Sequence, residues 1–240
     1  MKYSMRIVFF LCVILKMNAN PTTKKLQAIL DSGADLVLEK GTTYLIDATL
    51  KLTKPGQQIF TGNVEHIKDY ATLRLINPVL VTIINAEGLK DIIIRNIHID
   101  GNRDNMRPQE GKALMNPCIS LGKLGGDDQT IKNCIITNAR SSGGWAAIHV
   151  HENAFRTIII DNIIFGSGLD VLGNGRSTLE YPFGWGDGIS VAARNSIVNN
   201  NLVIDATDEG IMVQGAPGTK VKNNVIVALS REVFAGVALI

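Results

Sequence analysis

Five times along this chain an aliphatic residue, an asparagine and a further residue recur in the same order. The copies are Ile94-Arg95-Asn96-Ile97, Ile131-Lys132-Asn133-Cys134, Ile160-Asp161-Asn162-Ile163, Val198-Asn199-Asn200-Asn201 and Val221-Lys222-Asn223-Asn224. A second short motif runs between them: Cys118-Ile119-Ser120-Leu121, Ala147-Ile148-His149-Val150, Gly188-Ile189-Ser190-Val191, Gly210-Ile211-Met212-Val213 and Gly236-Val237-Ala238-Leu239. Where nothing intervenes, the period is 22 residues (Gly188 to Gly210) or 23 (Asn200 to Asn223). One such unit cannot bury its own apolar face, so strand-like alternation at this period predicts a solenoid of stacked strands. The fold class expected is all-β: a single-stranded parallel β-helix.

The spacing between motifs shows where the solenoid accepts extra chain. From the aliphatic residue of the second motif to the next asparagine the count stays between 11 and 14, whereas from asparagine to the next second motif it ranges from 11 to 27. Insertions at 100–116, 138–145 and 166–186 therefore leave on one side, and loops leaving a rigid scaffold at one edge build the walls of a cleft. The expected floor is the outward residues of the strands that follow: Ser120, His149, Ser190 and Met212 in one column, Gly122, His151, Ala192 and Gln214 in the next. A groove running along a solenoid suits a long ligand.

Within each repeat, Asn96, Asn133, Asn162, Asn200 and Asn223 are expected to stack at one corner, bonding to each other and to backbone groups that a sharp turn leaves unpaired. Cys134 then takes the place of Ile97 and Ile163, which makes it a buried thiol; a bridge to Cys118 is the alternative that spacing does not decide. Ile160 and Val191 are expected to point inward. Residues 24–31 read as a short amphipathic helix with Leu26, Ile29 and Leu30 on one face, placed to cap the open edge of the first coil. Two strands are expected between Asp35 and Leu52.

Residues 1–19 read as a secretory signal peptide: Lys2 and Arg6 precede a short apolar run, and Ala19 offers a small residue for cleavage. That run is too short to span a bilayer, so no membrane span is expected and the location expected is secreted, extracellular or periplasmic. Removal of the segment takes away Lys2, Arg6 and Lys16 and no acid, carrying the formal charge from +2 to −1. No global field would then draw the protein to nucleic acid, and a monomer with one domain over 22–240 is expected. The chain stops at Ile240 inside the strand of a new coil, and nothing after Leu229 reads as a cap. The solenoid is therefore expected to be incomplete, or truncated, at its C-terminal end.

Together these residues resemble the pectin-lyase-like superfamily of right-handed parallel β-helices, over about residues 22–240. The segment Leu36-Val37-Leu38-Glu39-Lys40-Gly41-Thr42-Thr43-Tyr44 looks like the start of many such domains. The resemblance implies a right-handed coil, in agreement with the general handedness of parallel crossovers. It also implies a carbohydrate-active protein acting on an extended polysaccharide by hydrolysis, lyase cleavage or epimerisation. The superfamily also holds non-catalytic adhesins, so a polysaccharide-binding or adhesion-type surface solenoid is the alternative.

Polygalacturonase-type hydrolases carry Asn-Thr-Asp-Gly, Asp-Asp and Gly-His-Gly on consecutive coils. Here Asp187-Gly188 stands at the first place and Asp208-Glu209-Gly210 at the second, with Glu209 in place of an aspartate. At the third, Ala235-Gly236-Val237 lacks the histidine. The partial match implies Asp187, Asp208 and Glu209 as catalytic residues. Adjacent carboxylates push one pKa up, leaving an acid beside a base; the alternative is that Asp-Gly and Glu-Gly only form turns.

Substrate-binding candidates are His149 and His151, which alternate on the coil before Asp187, the cations Arg140, Arg176 and Arg194, and Trp185 at the rim. Trp145, Tyr181 and Phe183 add aromatic surface to the same loops, and Arg103, Arg107 and Lys112 add charge. No metal site or cofactor is predicted; Ca2+ enters only if the chemistry is that of a lyase, where 100–105 offers carboxylates.

Overall fold

The computed structural model describes residues 23–106, 114–169 and 184–240. It is a parallel β-helix of seven coils, whose strands line up into three seven-stranded sheets. Sheet A stacks Leu36–Leu38, Gln58–Thr61, Ile93–Arg95, Thr130–Lys132, Ile158–Ile160, Ile197–Asn199 and Lys220–Lys222. Sheet B stacks Thr43–Ile46, Ala71–Leu75, Ile97–Asp100, Ile135–Ala139, Ile163–Ser167, Leu202–Ile204 and Val225–Val227. Sheet C stacks Leu50–Lys51, Ile84–Asn85, Ile119–Leu121, Trp145–Val150, Gly186–Val191, Glu209–Val213 and Ala235–Leu239. Each coil contributes one strand to each sheet in that order, and all the strand pairs are parallel. The first coil thus holds three short strands rather than two.

The helix is Thr23–Ser32, with Leu26 and Leu30 buried against the first coil. Ile29, expected on the same face, is 39 % exposed. The expected signal peptide at 1–19 lies outside the described residues, and no described helix is long and apolar enough to cross a membrane.

From the third coil on, the repeat turns between sheets A and B on one left-handed residue. Asn96, Asn133, Asp161, Asn200 and Asn223 stand in register there with φ between 52° and 59°, the left-handed region that asparagine and aspartate tolerate better than other residues with a Cβ. Asn162 is therefore not in this column, and the expected five-asparagine stack is corrected by one residue at that coil. Cys134 lines up with Ile97 and Asn162, not Ile163, because each corner residue is followed by one inward side chain.

That inward position carries its own ladder. The Asn162 side-chain oxygen accepts from the Cys134 amide at 3.0 Å, and Asn162 donates its backbone and side-chain N–H to the Asn201 side-chain oxygen at 3.0 and 2.9 Å. Asn201 repeats both bonds to Asn224 at 2.9 Å. Asn162 and Asn201 are buried, so the ladder satisfies amides that solvent does not reach. Cys118 and Cys134 are both free and buried, and burial pushes each thiol up to about 12, leaving them inert small apolar groups.

Apolar columns fill the interior: Ile59, Ile94, Ile131, Ile159 and Val198 from sheet A, Ile99, Ile136, Ile164 and Val203 from sheet B, Ile119, Ile148, Ile189 and Ile211 from sheet C. Val191 is inward as expected. Ile160 is not: it pairs with Lys132 and Asn199 on the outer face, and Ile159 is the buried neighbour. The inward register of sheet A is checked by charge insertion. Ile159→Asp should cost about 3 to 5 kcal/mol, against about 1 kcal/mol for Ile160→Asp. Thermal melts of the two variants measure this, and equal losses would place the register one residue away.

Candidate functional site

The two longest connections leave from the corner between sheets B and C. The described parts of 101–118, 140–144 and 168–185 sit there, while the A-to-B corner, 39–42 and 62–70 in the first two coils, turns on one left-handed residue from the third coil on. The structure thus places the insertions on one edge, above the first residues of the sheet C strands.

At that edge two glycines set the geometry. A Cβ on Gly188 would lie 2.5 Å from Val203 Cγ1 and 2.6 Å from the Gly210 carbonyl oxygen. On Gly210 it would lie 2.6 Å from Ile226 Cγ2 and 2.7 Å from the Gly236 carbonyl oxygen. Both glycines are therefore turned against the core residues of sheet B, where no side chain fits. Strand alternation then turns the preceding residues, Asp187 and Glu209, to the opposite side, where Asp187 meets the outward hydroxyl of Ser190. Asp187-Gly188 and Glu209-Gly210 thus lie within strands, not in turns.

Asp187, Asp208 and Glu209 converge: one carboxylate oxygen from each lies within 4.8 Å of the others. Ser190 Oγ donates to Asp187 at 2.5 Å, and the Glu209 amide donates to the other Asp187 oxygen at 3.2 Å. Asp187 is 1 % exposed and Glu209 6 %, whereas Asp208 is half-buried and reaches outward beside Gly144 of the 140–144 connection. Thr207 holds the turn, donating to the Ser167 carbonyl and accepting from the Gly186 amide.

Three acids so close cannot all ionise. Burial raises the Asp187 carboxyl well above its ordinary value, and the Glu209 hydrogen bond and the neighbouring charges of Asp208 and Glu209 add to this against the opposing Ser190 bond. Burial, then the charge and hydrogen bond of Glu209, raise Asp208 to about 7. At neutral pH the cluster holds at least one proton and a base beside it. The same spacing is the one among the described residues that a single cation could share, through these three carboxylates.

A second cluster sits on the outward face of sheet C at earlier coils. His149 and His151 are there, packed with Trp145: ring centroids are 4.8 Å (Trp145 to His149), 5.6 Å (Trp145 to His151) and 4.5 Å (His149 to His151). Burial lowers both histidines, His149 to about 4, so both are neutral at pH 7. His151 Nε2 lies 3.1 Å from Ser120 Oγ and 3.2 Å from Glu87 Oε1, and Lys123 Nζ lies 2.6 Å from Glu87 Oε2. Glu87 and Lys123 were missed in the sequence. The signal was there for Glu87, since extending the Gly122–His151 column back one coil from the Asn85–Ser120 pair reaches it.

The remaining candidates divide. Arg140 is buried, and its guanidinium donates to the carbonyl oxygens of Asn77, Pro78 and Leu80, so it clamps a loop instead of facing the cleft. Arg194 is exposed beyond the sheet C strand of the fifth coil, and Trp185 stands half-buried two residues before Asp187. Arg176 lies outside the described residues, as do Arg107, Lys112, Tyr181 and Phe183. Asp100, weighed for calcium, is engaged by Arg74 at 2.8 Å and by the Asn102 amide.

No family model matches this chain, and no curated protein does. Among solved structures it is similar to an alginate lyase from Paenibacillus sp. str. FPU-7, with 14 % identity and a TM-score of 0.31, covering 90 % of this chain and 97 % of that one. That likeness is too low to bear on fold or chemistry. The fold class, a parallel β-helix with a carboxylate cluster at its loop-bearing corner, rests on strand register and side-chain geometry.

The raised carboxyls also make stability depend on pH. A folded-state pKa above the unfolded value means the native protein holds its proton more tightly, so this stability is present in acid and is lost as pH rises. For Asp208 the window runs from about 4 to about 7. Melting temperatures between about pH 5 and pH 8 should therefore decline less in Asp208→Asn than in the unaltered protein. An unchanged or steeper decline would show that Asp208 ionises normally.

Proposed function

We propose that the protein is a secreted, carbohydrate-active β-helix that cleaves an extended polysaccharide by acid–base hydrolysis at Asp187, Asp208 and Glu209. The observation that supports this most directly is the close-set cluster of three carboxylates at the corner from which the two longest connections leave. Breaking a glycosidic bond needs a proton delivered to the departing oxygen and a carboxylate to assist on the sugar side. A carboxyl raised to about 7 and half-buried, as Asp208 is, can give up its proton to a bound group and regain it from water. Glu209 would serve as the second carboxylate, and buried Asp187, bonded to Ser190 and to the Glu209 amide, would hold the pair in register across two coils. The partial match to polygalacturonase-type motifs points the same way, and secretion follows from the leader-like residues 1–19.

A non-catalytic binding solenoid is the outcome this reading must beat. Incubation with a panel of uronic-acid and neutral polysaccharides separates them: new reducing ends indicate hydrolysis, unsaturated products a lyase, and retarded migration alone a binding protein. With a hydrolysed substrate in hand, Asp208→Asn and Glu209→Gln should each lower kcat/KM by more than tenfold, a loss above about 1.4 kcal/mol of transition-state stabilisation, with ligand binding retained. Asp187→Asn should do the same. Because the acid form of Asp208 is required, kcat/KM should fall as pH rises through about 7. All three amides retaining more than a tenth of the activity would remove the cluster from the mechanism.

A further inference from the structure

The recess beside Glu87 is a built site that the cluster above leaves without a role. Its volume is about 230 Å³, and its walls include Asn85, Glu87, Asn116, Lys123, Trp145 and His151. It lies over the first four coils of sheet C, whereas the carboxylates sit on the fifth and sixth. From the middle of the recess to the carboxylates is some three coils, roughly 14 Å at ~4.8 Å per coil, with Trp145 at the near wall, one coil from Asp187.

Its groups are arranged for recognition, not for proton transfer. Burial works to raise the Glu87 carboxyl, but the hydrogen bonds of Lys123 and Ser120 and the charge of Lys123 outweigh it and leave the group below its ordinary value. Glu87 is therefore an ionised acceptor, fixed by Ser120 Oγ at 2.5 Å and Lys123 Nζ at 2.6 Å. Nor is Ser120 an activated nucleophile. A relay needs one imidazole nitrogen on the serine and the other on the carboxylate, and here His151 Nε2 alone faces both.

What remains is a fixed acceptor beside a fixed donor, with amides of Asn85 and Asn116 nearby and an indole wall backed by two neutral imidazoles. Asn85 Oδ1 accepts from the Glu87 amide, which orients its side chain. Paired polar groups match neighbouring hydroxyls, and a ring face matches the C–H face of a pyranose. The opening lies on the same outward face as the carboxylates, along the column Asn85, Ser120, His149, Ser190.

We propose that this recess is a distal subsite that takes one pyranose ring of the polysaccharide chain whose cleavage is proposed above, and so makes the protein selective for long chains. It rests on that reading for the identity of the ligand, and the two fail differently.

The chain has two tryptophans, so Trp185→Phe leaves Trp145 as the sole indole reporter. Oligogalacturonides, oligomannuronates and cello-oligosaccharides of graded length are titrated against it by fluorescence. One series should perturb Trp145, with affinity rising until the chain is long enough to reach from the carboxylates to the recess. In parallel, Glu87→Gln and Lys123→Met, confirmed folded by their melts, should raise KM or Kd about tenfold for long chains and leave it nearly unchanged for short ones, with kcat unaltered. Losses that ignore chain length, or a fall in kcat at constant KM, overturn the subsite. No response of Trp145 to any of the three series overturns it as well. Length-dependent binding without turnover supports the subsite and removes the catalytic reading of Asp187, Asp208 and Glu209.

Discussion

The single-residue left-handed corner between sheets A and B is the constraint from which the other features follow. A turn on one residue leaves no slack, so from the third coil on each coil enters sheet B at the same height above the last, and the sheets stay in register. Four of the five corners use asparagine and one uses Asp161, because the position demands positive φ and not a particular amide. With that corner fixed from the third coil on, length variation in the later coils enters mainly between sheets B and C, and the carboxylate cluster lies at the edge where the solenoid accepts extra chain.

Stacking at the strand spacing also decides the electrostatics. Whatever one coil presents outward, the next coil presents a counterpart roughly 4.8 Å away. Asp205 and Asp187 show the two results. Burial would raise both. Asp205 is surrounded by donors from the next coil, the Ser230 hydroxyl and amide and the amides of Leu229 and Arg231, and they bring its carboxyl below the ordinary range. Asp187 meets one hydroxyl, one amide and two further acids, and its carboxyl is held well above that range.

Much of this was legible from the sequence because solenoid repeats expose their period directly. The parallel β-helix, the side on which insertions leave, the outward columns Ser120–His149–Ser190–Met212 and Gly122–His151, and the adjacency of Asp187 to Glu209 all follow from counting. What failed was register at the level of one residue. In the third copy the motif reads Asp161-Asn162 where the others read Asn at the corner, so aligning by asparagine shifted Asn162 and placed Ile160 inward. Periodicity cannot separate a corner asparagine from a ladder asparagine, since both are polar and adjacent; the sign of φ separates them. Arg140 was misjudged for a different reason. Its partners are backbone carbonyls some 60 residues away, which carry no residue-type signal.

Glu87 and Asp187 finally show why two carboxylates on one sheet face take opposite roles. Both are drawn partly out of water, and neither is set apart by its local sequence. For Glu87 the following coil supplies Lys123 and Ser120, both donors; for Asp187 it supplies Asp208 and Glu209, both acids. The first carboxylate is held ionised as a fixed acceptor, and the second is made to share a proton. A chain lying along this face would meet fixed charge at one end and exchangeable protons at the other. That polarity comes from which side chains the neighbouring coils bring, at the spacing that the left-handed corner enforces.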